Sequence, residues 1–212
     1  MLQQKQYKQY MKDQKMSNPI QSLDSIAPMD NSNVKKESDL VNAEYEEGKR
    51  FFEDKDYGQA AVALHNALVG FEEKKDESGI ANASNQLGNV CLARKEYESA
   101  LTHYHRALDI CDKSNDRMSI LSVMDKMVDA NKGLEKYDIA INLCLDILDH
   151  YQDNRDPQGT VETLEEMAQI YISWGDKSKA ADAYRTISSI HKNFKHNNIA
   201  AQFIDKAEAL ES

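Results

Sequence analysis

Three asparagines, Asn82, Asn85 and Asn89, follow one another at spacings of three and four residues. In a helix this spacing places the three side chains on one face. Each side-chain amide carries two donors and an acceptor, which complement the hydrogen-bonding groups of a peptide backbone. Asparagine is a mediocre helix former, so a merely solvated face would more readily carry Glu or Lys. The residue type and spacing therefore predict a surface that binds peptide main chain.

Comparable polar stripes, again spaced three and four, occur in three other segments, and their chemistry changes along the chain. The later stripes are acidic, and carboxylates there would favour Lys or Arg on a ligand. We predict an extended-peptide groove with an asparagine zone and an acidic zone, the alternative being an incidental solvated face. The predicted partner-binding residues are Asn42, Tyr45, Lys49, Asn82, Asn85, Asn89, Ser122, Asp125, Asp129, Lys132, Glu162, Glu165 and Gln169.

The other reactive residue types form no pattern typical of an enzyme. His103 and His105 are two residues apart, which places them roughly 200° apart around a helix, so they cannot hold one metal from one face. The sequence contains no glycine-rich phosphate loop, nucleophile elbow or paired His-Glu metal motif. Cys91, Cys111 and Cys144 lack metal-ligand spacing, and we expect Cys91 and Cys144 to be small buried hydrophobes. We predict no catalytic residues, no metal and no cofactor.

A 40-residue repeat determines how these stripes are positioned. One alanine recurs at this spacing four times, at Ala60, Ala100, Ala140 and Ala180, and one tyrosine three times, at Tyr57, Tyr97 and Tyr137. A fixed period of this size is typical of solenoids, in which each unit buries its apolar face against its neighbours. The pattern predicts a binding scaffold built from four similar units.

Within each repeat the sequence predicts two helices joined by a short polar turn. Asp76, Asp116 and Asp156 each precede a helical stretch and can accept hydrogen bonds from free backbone N–H groups, and Pro157 suits a first helical position. A final amphipathic stretch takes the place of a fifth first helix and is predicted to cap the array. The expected first helices are 39–53, 77–94, 117–134 and 157–173, the second helices 57–74, 97–113, 137–153 and 177–193, and the cap 197–210.

Residues 1–37 are predicted to be a flexible tail that is partly basic. Its first sixteen residues carry four lysines against one aspartate, a net charge of +3, and the lysine spacing would align them on one face of a helix. One alternative is a disordered extension. A second is a basic helix that touches anionic lipid or an acidic partner. A third is a flexibly tethered basic segment that binds in the acidic groove of its own or a neighbouring chain.

Overall composition narrows the class of partner. The net charge of −10 disfavours nucleic acid, because phosphates would be repelled, and favours basic peptides. The sequence contains no run of 18 apolar residues, and its start lacks the apolar region of a secretory signal. We therefore expect a cytoplasmic protein that binds another protein or peptide, with neither nucleic acid nor a transmembrane segment.

The repeats resemble tetratricopeptide repeats (TPRs). The usual period of that family is about 34 residues, so 40 resembles its long-helix subgroup, which includes kinesin light chains, G-protein-signalling modulators and bacterial peptide-sensing regulators. The third repeat departs from the family pattern, with Val128 and Asn131 where Gly and Tyr are usual. The resemblance rests on Gly48, Phe51, Tyr57, Ala60, Leu64 and Ala67 in repeat one, Leu87, Gly88, Tyr97, Ala100, Tyr104 and Ala107 in repeat two, Tyr137 and Ala140 in repeat three, and Ala168, Tyr171, Gly175, Ala180 and Tyr184 in repeat four.

The resemblance implies an all-α, right-handed α-solenoid of four helix-turn-helix units plus a C-terminal capping helix, with the first helices lining a concave groove. It implies a non-enzymatic adaptor that binds an extended peptide or a partner helix in that groove. The alternatives are a self-associating scaffold and a regulatory module that sequesters a basic segment of an enzyme or secretion component. The predicted repeat domain spans 38–212, with repeats at 41–76, 77–116, 117–156 and 157–195.

Overall fold

In the computed structural model, residues 31–212 are described, with side chains from Leu40 onward. All regular structure in this part of the chain is helical, and the chain divides into two compact units, residues 1–38 and 39–212. The repeats lie in the second unit, where consecutive helices pack against each other. The helices are α1 (Asn31–Glu53), α2 (Tyr57–Lys74), α3 (Glu77–Ala93), α4 (Tyr97–Ser114), α5 (Arg117–Gly133), α6 (Tyr137–Asp153), α7 (Pro157–Trp174), α8 (Lys177–Asn193) and α9 (Asn197–Glu211).

The start of α1 differs from the helix start that the sequence predicted. The first helix was expected to begin at 39, but it begins at Asn31. The expectation depended on apolar periodicity, which is missing between Asn31 and Ser38, whereas Lys35, Lys36 and Glu37 are good helix formers that extend the helix without it. The basic segment predicted in residues 1–16 lies outside the described residues.

A left-handed residue ends each helix from α1 to α8, and these residues are spaced 20 apart. After α1, Lys55 N–H donates to Phe52 O at 3.0 Å and Asp56 N–H donates to Phe51 O at 2.8 Å. This is the Schellman arrangement, which satisfies carbonyls left free at a helix end. The same pair of bonds recurs in every turn, so the 40-residue repeat consists of two structurally similar halves. The left-handed residues are Lys55, Lys75, Lys95, Asn115, Glu135, Arg155, Gly175 and Lys195.

Aspartate caps begin most of the helices. The three predicted caps are confirmed: Asp76 accepts from Gly79 N at 3.0 Å, and Asp116 and Asp156 accept equivalent bonds. The sequence interpretation missed two more, because Asp56 and Asp176 follow the turns inside a repeat and cap α2 and α8 in the same way. Turns within a repeat and turns between repeats can therefore both be followed by a helix that an aspartate side chain caps.

Small residues allow the paired helices to approach closely. Gly88 lies against Tyr104, and a Cβ at Gly88 would be 2.6 Å from Tyr104 Cδ1. Tyr104 is fully buried, and it packs with Ala107 of its own helix and with Met127 of α5. The repeated alanines have no exposed surface, which confirms their predicted packing role: Ala60, Ala100, Ala140 and Ala180.

The last helix, α9, packs on α8 and contributes Phe203 and Ala207 to a cluster with Tyr184 and Ile187. Its opposite side is exposed, as expected of a capping helix. No helix among the described residues has the length and apolar character needed to cross a membrane.

Candidate functional site

Two predicted groove residues support the core. The Tyr104 hydroxyl donates to Asn89 Oδ1 at 2.9 Å, and Gln169 Nε2 donates to the Tyr184 hydroxyl at 2.8 Å. Both pairs are 15 residues apart and recur at equivalent places two repeats apart. In each pair the side-chain amide provides a hydrogen-bond partner for the hydroxyl of a tyrosine whose ring packs in the core. Asn89 and Gln169 therefore have a structural partner inside the chain.

The α1 members of the stripe contact one another and the first core cluster. Tyr45 packs edge-on against Phe71, with ring centroids 6.1 Å apart. Lys49 forms an ion pair with Glu46 at 2.9 Å and lies 5.4 Å from the centre of the Tyr45 ring. Asn42 is exposed. These contacts leave Asn42 as the least engaged of the three.

The asparagine zone borders a small polar cavity of about 50 Å³ between α3 and α5. Asn82, Asn85, Ser119 and Ser122 line it. The Asn85 Oδ1 atom is buried and has no hydrogen-bond partner among the described residues. A cavity of this size admits water or one polar group of a ligand, but not a peptide. An acceptor that is buried without a donor costs free energy, so a bound donor here would be stabilising.

The acidic zone borders a larger cavity of about 410 Å³ between α5 and α7, with α6 behind it. Leu121, Val128 and Ile147 form apolar walls, and Tyr151 and exposed Met118 also line the cavity. Its polar lining includes Ser122, Asp125, Glu162 and Glu166. We call this space the acidic cavity.

Ion pairs fix several of the carboxylates around the acidic cavity. Lys132 bonds to both Asp129 and Glu166, which connects α5 to α7, although of these three residues only Glu166 lines the cavity. Burial acts to lower the pKa of Lys132, but the hydrogen bond to Glu166 and the surrounding carboxylates raise it above its ordinary value. Asp125 pairs with Lys126 at 2.8 Å. Lys132 is therefore a permanently charged link between the two helices.

Glu162 differs from these carboxylates. Its Oε1 accepts from the amide of Gln158 at 2.9 Å, and it makes no ion pair within the described region. The side chain is exposed at the mouth of the acidic cavity. Glu162 is therefore available to pair with a cation from outside the chain.

One wall of the acidic cavity carries a thiol. Burial raises the pKa of Cys144 to about 12, so the thiol is neutral at physiological pH and adds no charge. Cys91 is only partly buried. Among residues 31–212, no group of three His, Cys, Asp or Glu side chains is arranged to hold a metal ion.

The two acidic neighbours Glu165 and Glu166 have different environments. Glu165 pairs with Lys206 of α9 at 3.3 Å, away from the acidic cavity. Glu166, which the stripe omitted, lines the cavity and bonds to Lys132. The sequence did contain a signal, because Glu166 lies four residues after Glu162 and therefore one helical turn along the same face.

The helix pairs, the recurring turns and the cavities between first helices define a TPR-like helical-repeat protein. The match of a family model described as "Soluble NSF attachment protein, SNAP" to residues 8–211 agrees with this class. The chain belongs to the soluble NSF attachment protein (SNAP) family. No curated protein sequence matches it.

Solved structures of similar fold are TPR-like repeat proteins. Repeats of a Podosopora anserina kinesin light chain match with a TM-score of 0.60 at 11% identity, covering 81% of this chain and 94% of that one. The apo form of RapI matches with a TM-score of 0.63 at 14% identity, over 80% and 69% of the two chains. A Rap protein in complex with Competence and Sporulation Factor matches with a TM-score of 0.58 at 18% identity, over 81% and 52%. At these identities the likeness shows the fold.

Proposed function

We propose that this chain is a non-catalytic adaptor whose acidic cavity binds a basic segment of a partner protein. The observation that carries the proposal is the open space of about 410 Å³ between α5 and α7, with apolar walls and carboxylates at its mouth. A guanidinium or ammonium group would pair with Glu162, while its aliphatic stem would pack on Leu121 and Ile147.

The asparagine zone would extend the same site toward the N-terminus. Ser122 lines both the small polar cavity and the acidic cavity, so the two spaces are neighbours on α5. A backbone N–H of the bound segment would supply the donor that Asn85 Oδ1 lacks. Asn82 and Asn85 would therefore hold main chain, whereas Asn89 is already bonded to Tyr104.

The comparisons support a binding role. The family description is that of an attachment protein, and a Rap protein of similar fold is complexed with Competence and Sporulation Factor. Neither observation specifies the partner of this chain. The proposed partner class, a segment with Lys or Arg, comes from the charges around the acidic cavity.

A titration with a synthetic peptide tests the proposal. The probe carries three arginines separated by glycine and serine, and its twin carries glutamines instead. We expect the arginine peptide to shift the NMR amide signals of α5 and α7 around the acidic cavity, and the glutamine twin to shift none. Glu162→Gln should weaken binding roughly two- to fivefold, as expected for one exposed charge pair.

A matched control removes a carboxylate elsewhere. Glu73 on α2 is exposed and far along the chain from the cavity, so Glu73→Gln should bind the arginine peptide as the wild type does. Equal affinity of Glu162→Gln and wild type, or signal shifts on helices that do not line the acidic cavity, would contradict the proposed function.

A further inference from the structure

A second cavity lies on the other side of α7, between that helix and the end of α8. Its volume is about 380 Å³, and it is lined by apolar Pro157, Val161, Ile190 and Phe194 together with two histidines. We call this space the apolar cavity. Glu162 lines both the apolar and the acidic cavity, so the two cavities are adjacent, one on each side of α7.

Phe194 is unusual for its position in the repeat. It occupies the C-cap of α8, and 54% of its surface is exposed. The equivalent residues in the three preceding repeats are Lys74, Ser114 and Asn154, all of them polar. The fold therefore does not require an apolar side chain here. Burial of a large side chain is favourable, so an exposed phenylalanine beside an apolar cavity gains stability when a partner covers it.

The surroundings of Phe194 hold it in place. Its ring stacks on His196, with centroids 6.2 Å apart, and His191 stacks on the buried Phe203 at 5.7 Å. A neighbouring hollow of about 240 Å³, lined in part by Tyr151 and Thr160, also has Ile190 and Phe194 on its wall. The apolar surface thus extends to both sides of Phe194.

We infer that the apolar cavity binds a large apolar side chain of the same partner segment whose Lys or Arg occupies the acidic cavity. The inference rests on the proposed function, because the basic side chain in the acidic cavity determines which residue of the partner segment reaches the apolar cavity. Glu162 lines both cavities and makes no ion pair within the described region, whereas Glu165, which also lines the apolar cavity, is paired with Lys206. The unpaired Glu162 favours a segment that is basic rather than acidic. The site is thus specific for a basic and an apolar side chain on one segment.

The geometry of neighbouring helices sets the spacing of these two side chains. Packed helices lie about 8–10 Å apart, which is the distance a ligand travels in crossing α7. An extended chain advances about 3.3 Å per residue. The basic and the apolar residue of the partner should therefore be about two to four positions apart in sequence.

Selection from a random-peptide library on the full chain tests the inference. Wild-type protein should enrich peptides with Lys or Arg and, at one fixed spacing, Leu, Ile, Met, Phe or Trp. Phe194→Ser should still enrich basic residues but lose the apolar preference, whereas Glu162→Gln should weaken the basic preference. A wild-type peptide resynthesised after selection should bind Phe194→Ser about tenfold more weakly, and Phe194→Leu nearly as well as wild type.

Val62→Ser is the matched control, since Val62 is 58% exposed on the distant helix α2 and its loss should leave the selected peptides unchanged. Thermal unfolding of each variant verifies that it is folded. Basic enrichment without an apolar residue at fixed spacing overturns this inference alone. Absence of basic enrichment overturns the proposed function as well. Dimerisation of the wild type that Phe194→Ser abolishes, measured by light scattering, would assign the apolar cavity to a second copy of the chain and overturn the inference.

Discussion

Burial, more than any neighbouring charge, controls the ionisation of the core residues beside the cavities. It raises the pKa of the Cys144 thiol to about 12, and nearby Glu166 acts in the same direction. Burial also raises the pKa of the Tyr104 hydroxyl, whose proton is donated to Asn89. Both groups are therefore neutral in the folded chain over the physiological range, and the charge near the acidic cavity belongs to its carboxylates and lysines.

These shifts predict a loss of stability at alkaline pH. The ordinary thiol pKa is about 8.5, so as pH rises the unfolded chain loses the Cys144 proton before the folded chain does. Stability from this group is complete below about pH 8.5 and is lost progressively as pH rises toward 12. We expect the free energy of unfolding in urea to be flat near neutral pH and to fall above about pH 9, by up to about 1.4 kcal/mol per pH unit for one group.

Cys144→Ala is the control for this prediction. It removes the thiol, so its stability should fall less steeply with pH than that of the wild type. A residual slope is expected, because burial also raises the pKa of Tyr104, Cys91 and Cys111. Identical slopes for Cys144→Ala and wild type would show that Cys144 does not control the alkaline loss.

At the scale of the helices, close approach depends on a few positions without a side chain. Gly88 of α3 faces the ring of Tyr104 on α4, and Gly48 of α1 faces Leu64 on α2 in the same way. Each glycine occupies the equivalent place in its repeat, 40 residues apart. Helix propensity would favour alanine at both, so the glycines are explained by the packing of the paired helix.

Two separate glycine-to-alanine variants distinguish the effect of packing on stability from the effect of helix propensity. In Gly88→Ala the new methyl group would overlap the Tyr104 ring, which is fully buried and cannot move freely, so we expect a loss of about 1–3 kcal/mol. In Gly58→Ala the nearest atom, Asp56 Oδ1, is 3.6 Å away, so we expect no loss and a gain of up to about 1 kcal/mol. Urea unfolding measures both. Equal stabilities of the two variants would refute the packing explanation.

The helices were predictable from sequence because two signals coincide at their ends. Apolar periodicity and polar turns, together with a capping aspartate at α3, α5 and α7, placed the bounds of α2 to α9 within one or two residues. The start of α1 was not predictable in this way, since Asn31 to Ser38 lack apolar periodicity. The groove stripe indicated which face each polar residue occupies. It did not reveal that Asn89 bonds to Tyr104, because that contact depends on the separation of α3 and α4 in space.

At the scale of the whole molecule, the net charge and the carboxylates at the acidic cavity would act together in the proposed function. The net charge of −10 would attract the proposed basic partner from a distance, and salt would screen this attraction over about 10 Å at 0.1 M. Local pairing with Glu162 acts only after contact. The net charge would thus raise the association rate of a basic ligand, and the pairing with Glu162 would stabilise the complex once it has formed.

The last helix, α9, covers the apolar face at the C-terminal end of the repeats. Phe203, Ala207 and Ala200 are buried against α8, and without them Tyr184 and Ile187 would face solvent. Removal of residues 197–212 should therefore lower the free energy of unfolding by roughly 3 kcal/mol or more, since loss of a buried phenylalanine side chain alone costs about that much. The uncovered apolar face should also make the shortened chain self-associate, because solenoids require a polar terminal surface for solubility.

Removal of Glu211 and Ser212 alone is the matched control. It breaks the ion pair between Arg185 and Glu211 but leaves Phe203 and Ala207 in place, so the change should stay below about 1 kcal/mol. Urea unfolding gives the stability, and light scattering over a range of protein concentrations gives the mass. If the chain without residues 197–212 stays monomeric and unfolds at the same urea concentration as the wild type, α9 is not a cap. Its buried apolar face would then contribute little to the array, and the stability of α7 and α8 would have to arise from their contacts with α6.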